Sequence, residues 1–299
     1  MSQQNRQLQK YARRQISKLP AWAVILIIAA VCGLYLLHEH TNTPDIPEGQ
    51  LTVRFIDVGQ GDCELLSADG GTVLIDAGPT SAQYSLTSYL SRCVSQIDYL
   101  ILTHPHEDHI GGAAQVIGNF DVRNVIMPDA VSDSASFSKL LDAMEDKNIS
   151  GILAEPGSEY TLGELKITIL APLSDEYEDT NNYSIVLRAD YGEDSFLFTG
   201  DAETPVEKEL LTAYPSHMLD CDVLKVGHHG STTSSSAAFL DAVTPEIAVI
   251  EVGKDNDYGH PKEKILSRLS EYTSQIYRTD TDSTVVLVSN GQGISRADQ

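Results

Sequence analysis

Apolar and polar residues alternate through Leu51-Thr52-Val53-Arg54-Phe55-Ile56-Asp57-Val58, the period of a strand, and the run breaks at Gly59-Gln60-Gly61-Asp62. Further strands are predicted at 63–67 and 72–75, a helix at 84–93, a buried strand at 99–102, the start of a helix at 113–117 and a strand at 124–127. Within 137–147, Leu140, Leu141 and Met144 share one face of a helix. A second series of strands is expected at 163–171, 184–189 and 195–199, followed by a helix at 203–213. Strands at 223–226 and 247–252 bracket a helix at 236–242, and segments at 262–272 and 284–289 finish the chain. Two strand-rich halves, each followed by helices, suit two sheets packed face to face with helices outside, although periodicity alone does not prove that arrangement.

Residues 21–37 depart from this pattern, because they contain no charge at all. As a helix they reach about 25 Å, enough to cross a bilayer with slight thinning. Trp22 and Tyr35 sit near the two ends, Arg6, Lys10, Arg13, Arg14 and Lys18 precede the run, and acidic residues follow it. That asymmetry predicts a single-pass anchor with a cytoplasmic N-terminus and an extracellular domain. A cleaved signal peptide is the rival, with an unusually long basic region and no convincing small-x-small site after Leu37. The expected organisation is a basic cytoplasmic segment at 1–20, the anchor at 21–37, a Thr/Asn/Pro/acid-rich tether at 38–50, and one domain at 51–299.

Composition sets limits on function. The 299 residues are 41% hydrophobic, enough for a substantial core, and no internal repeat is visible. With 20 basic against 43 acidic residues the net charge is −23. Such a surface repels polyanions and forgoes the counterion release that drives ordinary nucleic-acid binding, unless metals and a local basic patch offset it. Cys32 reads as apolar filler within the anchor; Cys63, Cys93 and Cys221 have no C-x-x-C spacing and read as buried thiols, with one bridge left open.

The densest chemistry is Thr103-His104-Pro105-His106-Glu107-Asp108-His109, where three imidazoles crowd the end of a predicted strand in a chain with nine histidines. His104 and His106, two apart in extended backbone, can point the same way, while Asp108 and His109 can turn toward a second ion. Two adjacent metals are therefore expected. Asp201 follows the apolar run Phe196-Leu197-Phe198-Thr199 and a glycine; it is either a metal-approaching carboxylate or the N-cap of the next helix. His228 and His229 precede a Ser-rich run, His260 follows a flexible 253–259 loop, and either His228 or His260 could reach the metals. Asp76 is either a carboxylate that orients metal-binding histidines or a turn-former before Ala77-Gly78-Pro79.

His104-x-His106-x-Asp108-His109 resembles the HxHxDH signature of metallo-β-lactamase-fold hydrolases. More narrowly, Phe55-Ile56-Asp57-Val58-Gly59-Gln60-Gly61-Asp62, Leu74-Ile75-Asp76-Ala77-Gly78, Thr199-Gly200-Asp201-Ala202-Glu203, Lys225-Val226-Gly227-His228-His229-Gly230-Ser231 and Tyr258-Gly259-His260-Pro261 resemble, in order, the hydrolase domain of ComEC competence proteins. The resemblance covers about residues 51–290. It implies an α/β fold, the four-layer αββα metallo-β-lactamase sandwich, here preceded by one transmembrane helix. It also implies two divalent ions, Zn or Mn, held by His104, His106, Asp108, His109, a bridging Asp201 and His260. His228 then contacts a substrate phosphate or leaving group, with Asp108 and His228 as the catalytic pair, and Asp76 and His229 stand behind the ligands, His229 turned away in extended backbone. Between Asp108 and Asp201 there is no histidine, only polar residues such as Asn181, Asn182 and Ser184, which leaves the first metal fewer imidazoles and favours a harder ion such as Mn²⁺.

The activity so implied is extracytoplasmic hydrolysis of a phosphodiester by metal-bound hydroxide, with single-stranded DNA as candidate substrate during uptake and competence. A single span forms no DNA channel, so that role needs a separate translocase. The alternatives are a cell-wall or small-molecule phosphodiesterase of phosphocholine or teichoic-acid type, which an acidic surface tolerates better, and a non-catalytic surface binding module. The sequence leaves the oligomeric state open.

Overall fold

Strand alternation sorts side chains into layers. In β3 (Gly71–Ile75), Val73 and Ile75 enter a core shared by two sheets, while Leu74 points the other way onto helices. The computed structural model describes residues 49–297. The predicted anchor and most of its tether lie outside these residues; among the described residues no helix is long and apolar enough to cross a membrane.

The first sheet is built from β1 (Leu51–Phe55), β2 (Glu64–Ala68), β3, β4 (Gln96–Ile101), β5 (Asp121–Met127) and β6 (Gly151–Leu153). Its helices are α1 (Gln83–Leu90), α2 (Glu107–Ile110), α3 (Ala113–Asn119) and α4 (Ala135–Asp146), the last capped by Ser134, whose hydroxyl accepts from Phe137 N–H. The second sheet comprises β7 (Glu159–Leu162), β8 (Leu165–Ala171), β9 (Val186–Tyr191), β10 (Asp194–Phe198), β11 (Val223–Lys225), β12 (Ile247–Ile250) and β13 (Gln275–Arg278). Interspersed are α5 (Thr204–Ala213), α6 (Ser216–Leu219), α7 (Ala237–Val243), capped by Ser236, α8 (Glu263–Leu269) and α9 (Thr279–Asp282). The last strands, β14 (Val285–Ser289) and β15 (Ile294–Arg296), cross back, and β14 pairs antiparallel with β1, Leu51 opposite Ser289. The orders are thus β15-β14-β1-β2-β3-β4-β5-β6 and β13-β12-β11-β10-β9-β8-β7.

Three apolar clusters fill the layers. Phe55, Ile75, Phe196, Phe198 and Val249 pack between the sheets; Leu74, Leu86, Val116 and Leu140 pack helices onto the first sheet; Leu197, Val206, Leu240 and Ile265 do so on the second. This is the expected αββα sandwich. The sequence pattern does not announce β6, β7, β13 and β15, all short and with much of their surface in water, so their apolar signal is weak. The strand expected at 163–171 is β8, and the chain enters it from the unannounced β7 through a hairpin turned at Gly163, with φ 61°. Cys63 and Cys221 are buried free thiols as expected, whereas the free Cys93 is only half-buried.

β3, β4 and β5 run parallel, as do β10, β11, β12 and β13. The loops leaving their C-terminal ends carry Asp76, His104, Asp201, His228, His229 and His260. The crevice beyond such strand ends is where α/β sheets gather ligands.

Candidate active site

His104 leaves the end of β4, His106 caps α2 in extended conformation, and Asp108 and His109 ride on that single turn of helix. His104 Nε2 and His106 Nδ1 lie 3.0 Å apart. Asp201 follows Gly200, whose φ of 50° and whose missing Cβ, which would sit 3.0 Å from Thr103, let the turn close against β4's loop. The N-cap of α5 is Glu203, so Asp201 does not serve as that cap. Its carboxylate faces imidazoles: Asp201 Oδ2 lies 3.4 Å from His109 Nε2, 3.6 Å from His229 Nε2, 3.8 Å from His228 Nε2 and 3.9 Å from His104 Nε2.

The expectation that His229 turns away is corrected by the backbone. His228 and His229 both adopt left-handed φ, 49° and 52°, rather than the extended form in which neighbours point oppositely, so both rings enter the site. His229 is buried, with Nε2 3.4 Å from Asp108 Oδ2 and Nδ1 2.9 Å from the Glu251 carbonyl. His228 stands on the cleft wall, its Nδ1 3.0 Å from Thr233 Oγ1 and 3.4 Å from Glu203 Oε1. His260 sits further out: among the described residues its ring makes no carboxylate contact, and its neighbours are the rings of His228 and Tyr258, 5.8 and 5.7 Å away. Of these two histidines, His229 and not His260 brings a ring nitrogen within 3.6 Å of Asp201.

Asp76, at φ 53° after β3, accepts from Thr103 N–H and Oγ1 at 2.7 and 2.6 Å and lies 2.6 Å from His109 Nδ1, leaving His109 Nε2 for the site. Where a further histidine is missing, Ser184 Oγ lies 3.3 Å from His104 Nδ1 and accepts from Asp201 N–H at 3.1 Å. Asn181 lines the cleft, and Asn182 is bonded to Glu203.

Sequence reasoning left Asp62 without a role and passed over Lys225 and Glu251. Gly61 lets the chain pass within what would be 2.1 Å of the Asp108 carbonyl for a Cβ, and so brings Asp62 under the imidazoles. Asp62 Oδ1 lies 3.2 Å from His229 Nδ1, and the fully buried Lys225 ammonium donates to Asp62 and, at 3.0 Å, to the Gly200 carbonyl. The available signal was charge within apolar strands: Lys225 closes Val223-Leu224, and Glu251 closes Ile247–Ile250.

Burial drives His104 well below the usual imidazole range, with neighbouring His109 adding to it. Burial also opposes charge on His109 and His229, but Asp201 with Asp76 and Asp62 lifts His109 well up, and Asp201 with Asp62 lifts His229 to about 10. Against the penalty of burial, the imidazoles hold Asp201 well below the ordinary carboxylate value, and a hydrogen bond from His229 lowers Asp108. Burial and the neighbouring His228 depress His260 to about 4.

His109 Nε2, His229 Nε2, Asp201 Oδ1 and Asp62 Oδ1 are buried without a hydrogen-bond partner among the described residues. Such orphaned atoms cost about 1–3 kcal/mol each unless something satisfies them. The donor atoms of His104, His109 and Asp201, and of Asp62, His109 and His229, gather within 4.8 Å of one another. Imidazole nitrogens and carboxylates at this spacing fit divalent cations. Around them opens a cleft of about 360 Å³, lined by Gln60, His106, Asn181, His228, Tyr258 and His260 among others.

The sequence profile of the metallo-beta-lactamase superfamily matches residues 56–253, and the chain belongs to that superfamily, whose members are generally metal-dependent hydrolases that bind divalent metals, typically two. ComE operon protein 3 of Bacillus subtilis is 32% identical over 252 residues, covering 78% of this chain and 32% of the relative. Competence protein ComA of Neisseria gonorrhoeae is 30% identical, covering 88% and 34%, and Recombination protein 2 of Haemophilus influenzae 29% identical, covering 86% and 31%. The chain thus spans about a third of the length of these curated relatives. Among solved structures, the metallo hydrolase Igni18 of Ignicoccus hospitalis superposes with a TM-score of 0.52 at 18% identity, covering 79% of this chain and 98% of that one. CmlA, a diiron beta-hydroxylase of Streptomyces venezuelae, gives 0.52 at 14% identity over 78% and 53%. At such identity these two carry the fold alone.

Proposed function

We propose that this protein is a membrane-anchored, metal-dependent phosphodiesterase of ComEC-like type, acting outside the cytoplasm on single-stranded DNA. The observation that carries it is the convergence of four imidazoles on one oxygen of Asp201, with buried donor atoms left unpaired around it. In this reading His104, His106 and Asp201 would hold one cation, and Asp108, His109 and His229 beside Asp201 would hold the other. Divalent ions bound there would supply Lewis-acid chemistry, activating a water and offsetting charge on a phosphodiester. Asp76 fixes the His109 ring, and Asp62 with the Glu251 carbonyl fixes His229. His228 Nε2 is the proton donor to the leaving oxygen, its ring steadied from behind by Thr233 and Glu203. The first cation gains no third imidazole, since Ser184 and Asn181 stand in that region, and this favours Mn²⁺ over Zn²⁺.

The uncharged 21–37 run and the basic residues before it support the anchor, with the domain outside and a separate translocase for any strand that crosses the membrane. Names of the curated relatives support a competence role. A second reading, a small cell-wall phosphodiester as substrate, is favoured by the net charge of −23. The test is metal content together with turnover of single-stranded DNA, a phosphocholine diester and methyl p-nitrophenyl phosphate, for wild type and Asp108→Ala. Bound metal and DNA cleavage lost in Asp108→Ala are expected; metal with turnover of small diesters only selects the second reading, and absence of both metal and turnover refutes the enzyme.

A further inference from the structure

Five large hydrophobic side chains stand exposed among the described residues, and of these Tyr258 alone also lines the cleft. Tyr258 is 63% exposed, and its ring stacks on His260 at 5.7 Å with 20° between planes; His260 in turn meets His228 edge-on at 5.8 Å and 75°. A stacked pair and one edge-on contact therefore lead from solvent to His228 on the cleft wall. The loop that carries them is braced from inside: Asn256 Nδ2 donates to the carbonyls of Gly253 and His260 at 2.8 and 2.7 Å, its Oδ1 accepts from His260 N–H at 3.0 Å, and Lys262 Nζ donates to the Tyr258 carbonyl at 2.6 Å. A platform held this way loses little freedom when a ligand settles on it.

We propose that Tyr258, backed by His260, is the stacking platform for the nucleobase next to the scissile phosphate, so that the preferred substrate is single-stranded nucleic acid. The inference rests on the phosphodiesterase reading above and adds what selects the polymer. A cleft of about 360 Å³ lies at the small end for ligand sites, room for about one nucleotide, so a longer strand continues past the rim where Tyr258 stands. Charge points the same way. A chain of net charge −23 draws little affinity from the phosphate backbone, whereas stacking on an aromatic face needs no positive charge and accepts every base. Unpaired strands expose those base faces and duplexes hide them. Lys262, whose ammonium donates to the Tyr258 carbonyl, places one cation beside the platform.

The experiment uses the full, metal-loaded chain and a set of single-stranded oligonucleotides, each with one abasic residue at a successive position around the cleavage point. For wild type, removing the base at one position beside the scissile phosphate should lower kcat/KM about ten-fold, the scale of one base on one aromatic ring. In Tyr258→Ala that ratio of intact to abasic strand should fall to near one, through KM, while Tyr258→Trp and Tyr258→Phe preserve it. The inference is overturned if Tyr258→Ala keeps the wild-type ratio, or if no position shows the penalty in wild type. Cleavage of methyl p-nitrophenyl phosphate without cleavage of any strand overturns the platform but leaves a phosphodiesterase; cleavage of neither overturns both.

Discussion

Lys225→Met removes the ammonium that lies under the metal site, and the expected consequence is loss of stability out of proportion to the small change in volume. Lys225 and Asp62 are both fully buried, and the ammonium's other partner is the Gly200 carbonyl. Burial penalises the lysine's charge, but Asp62 above all, with Asp201, Glu64 and Glu251, raises its pKa, so the cation persists in the interior. Without it Asp62 loses the ammonium it pairs with, and breaking a buried pair by removing one partner costs about 3–5 kcal/mol. A typical domain has about 5–15 kcal/mol in all, so the variant should unfold at much lower urea. Combining Lys225→Met with Asp62→Asn leaves no stranded charge, and the double variant should be less destabilised than the sum of the singles by about 2 kcal/mol. The assay is urea unfolding followed by far-UV circular dichroism in EDTA, so that metal binding does not enter the comparison. An unchanged midpoint for Lys225→Met, or strict additivity in the double variant, refutes the reasoning.

His229→Ala should lower affinity for the second cation by at least about 100-fold and abolish turnover, whereas His260→Ala should retain both metals; metal content after dialysis against graded chelator separates the two, and the reverse ranking would restore His260 as ligand. Burial first, then Asp62, lifts the Glu251 carboxyl to about 8, and the adjacent Glu64 is raised as well. A carboxyl whose folded pKa exceeds its unfolded value contributes stability at low pH that is lost as pH rises through the folded value. Metal-free wild type should therefore weaken between about pH 5 and pH 8, by a few kcal/mol at most, and Glu251→Gln should flatten that slope in urea titrations; an equal slope in both proteins rejects the assignment.

The chemistry that neighbours in sequence can express was legible in the residues themselves. His104, His106, Asp108 and His109 fall within six residues, and a strand followed by one helical turn is enough to aim them at a common point. Val73 and Ile75 against Leu74 show how strand alternation foretold two buried faces and hence layered sheets with helices outside. What the chain alone could not settle was decided by contacts between distant segments. His229 rather than His260 faces Asp201 because two consecutive residues adopt left-handed φ, a choice no residue pattern announces in non-glycine positions. Asp62 gained its place only when Lys225, 163 residues away, reached it from the other sheet. β14 belongs to the first sheet although it follows the whole of the second half, because a late strand pairs where unpaired backbone is exposed, and β1 offered that edge. Local periodicity thus determined most of the elements, and spacing the candidate metal-binding run; long-range pairing of backbone and buried charge decided which distant side chains join it.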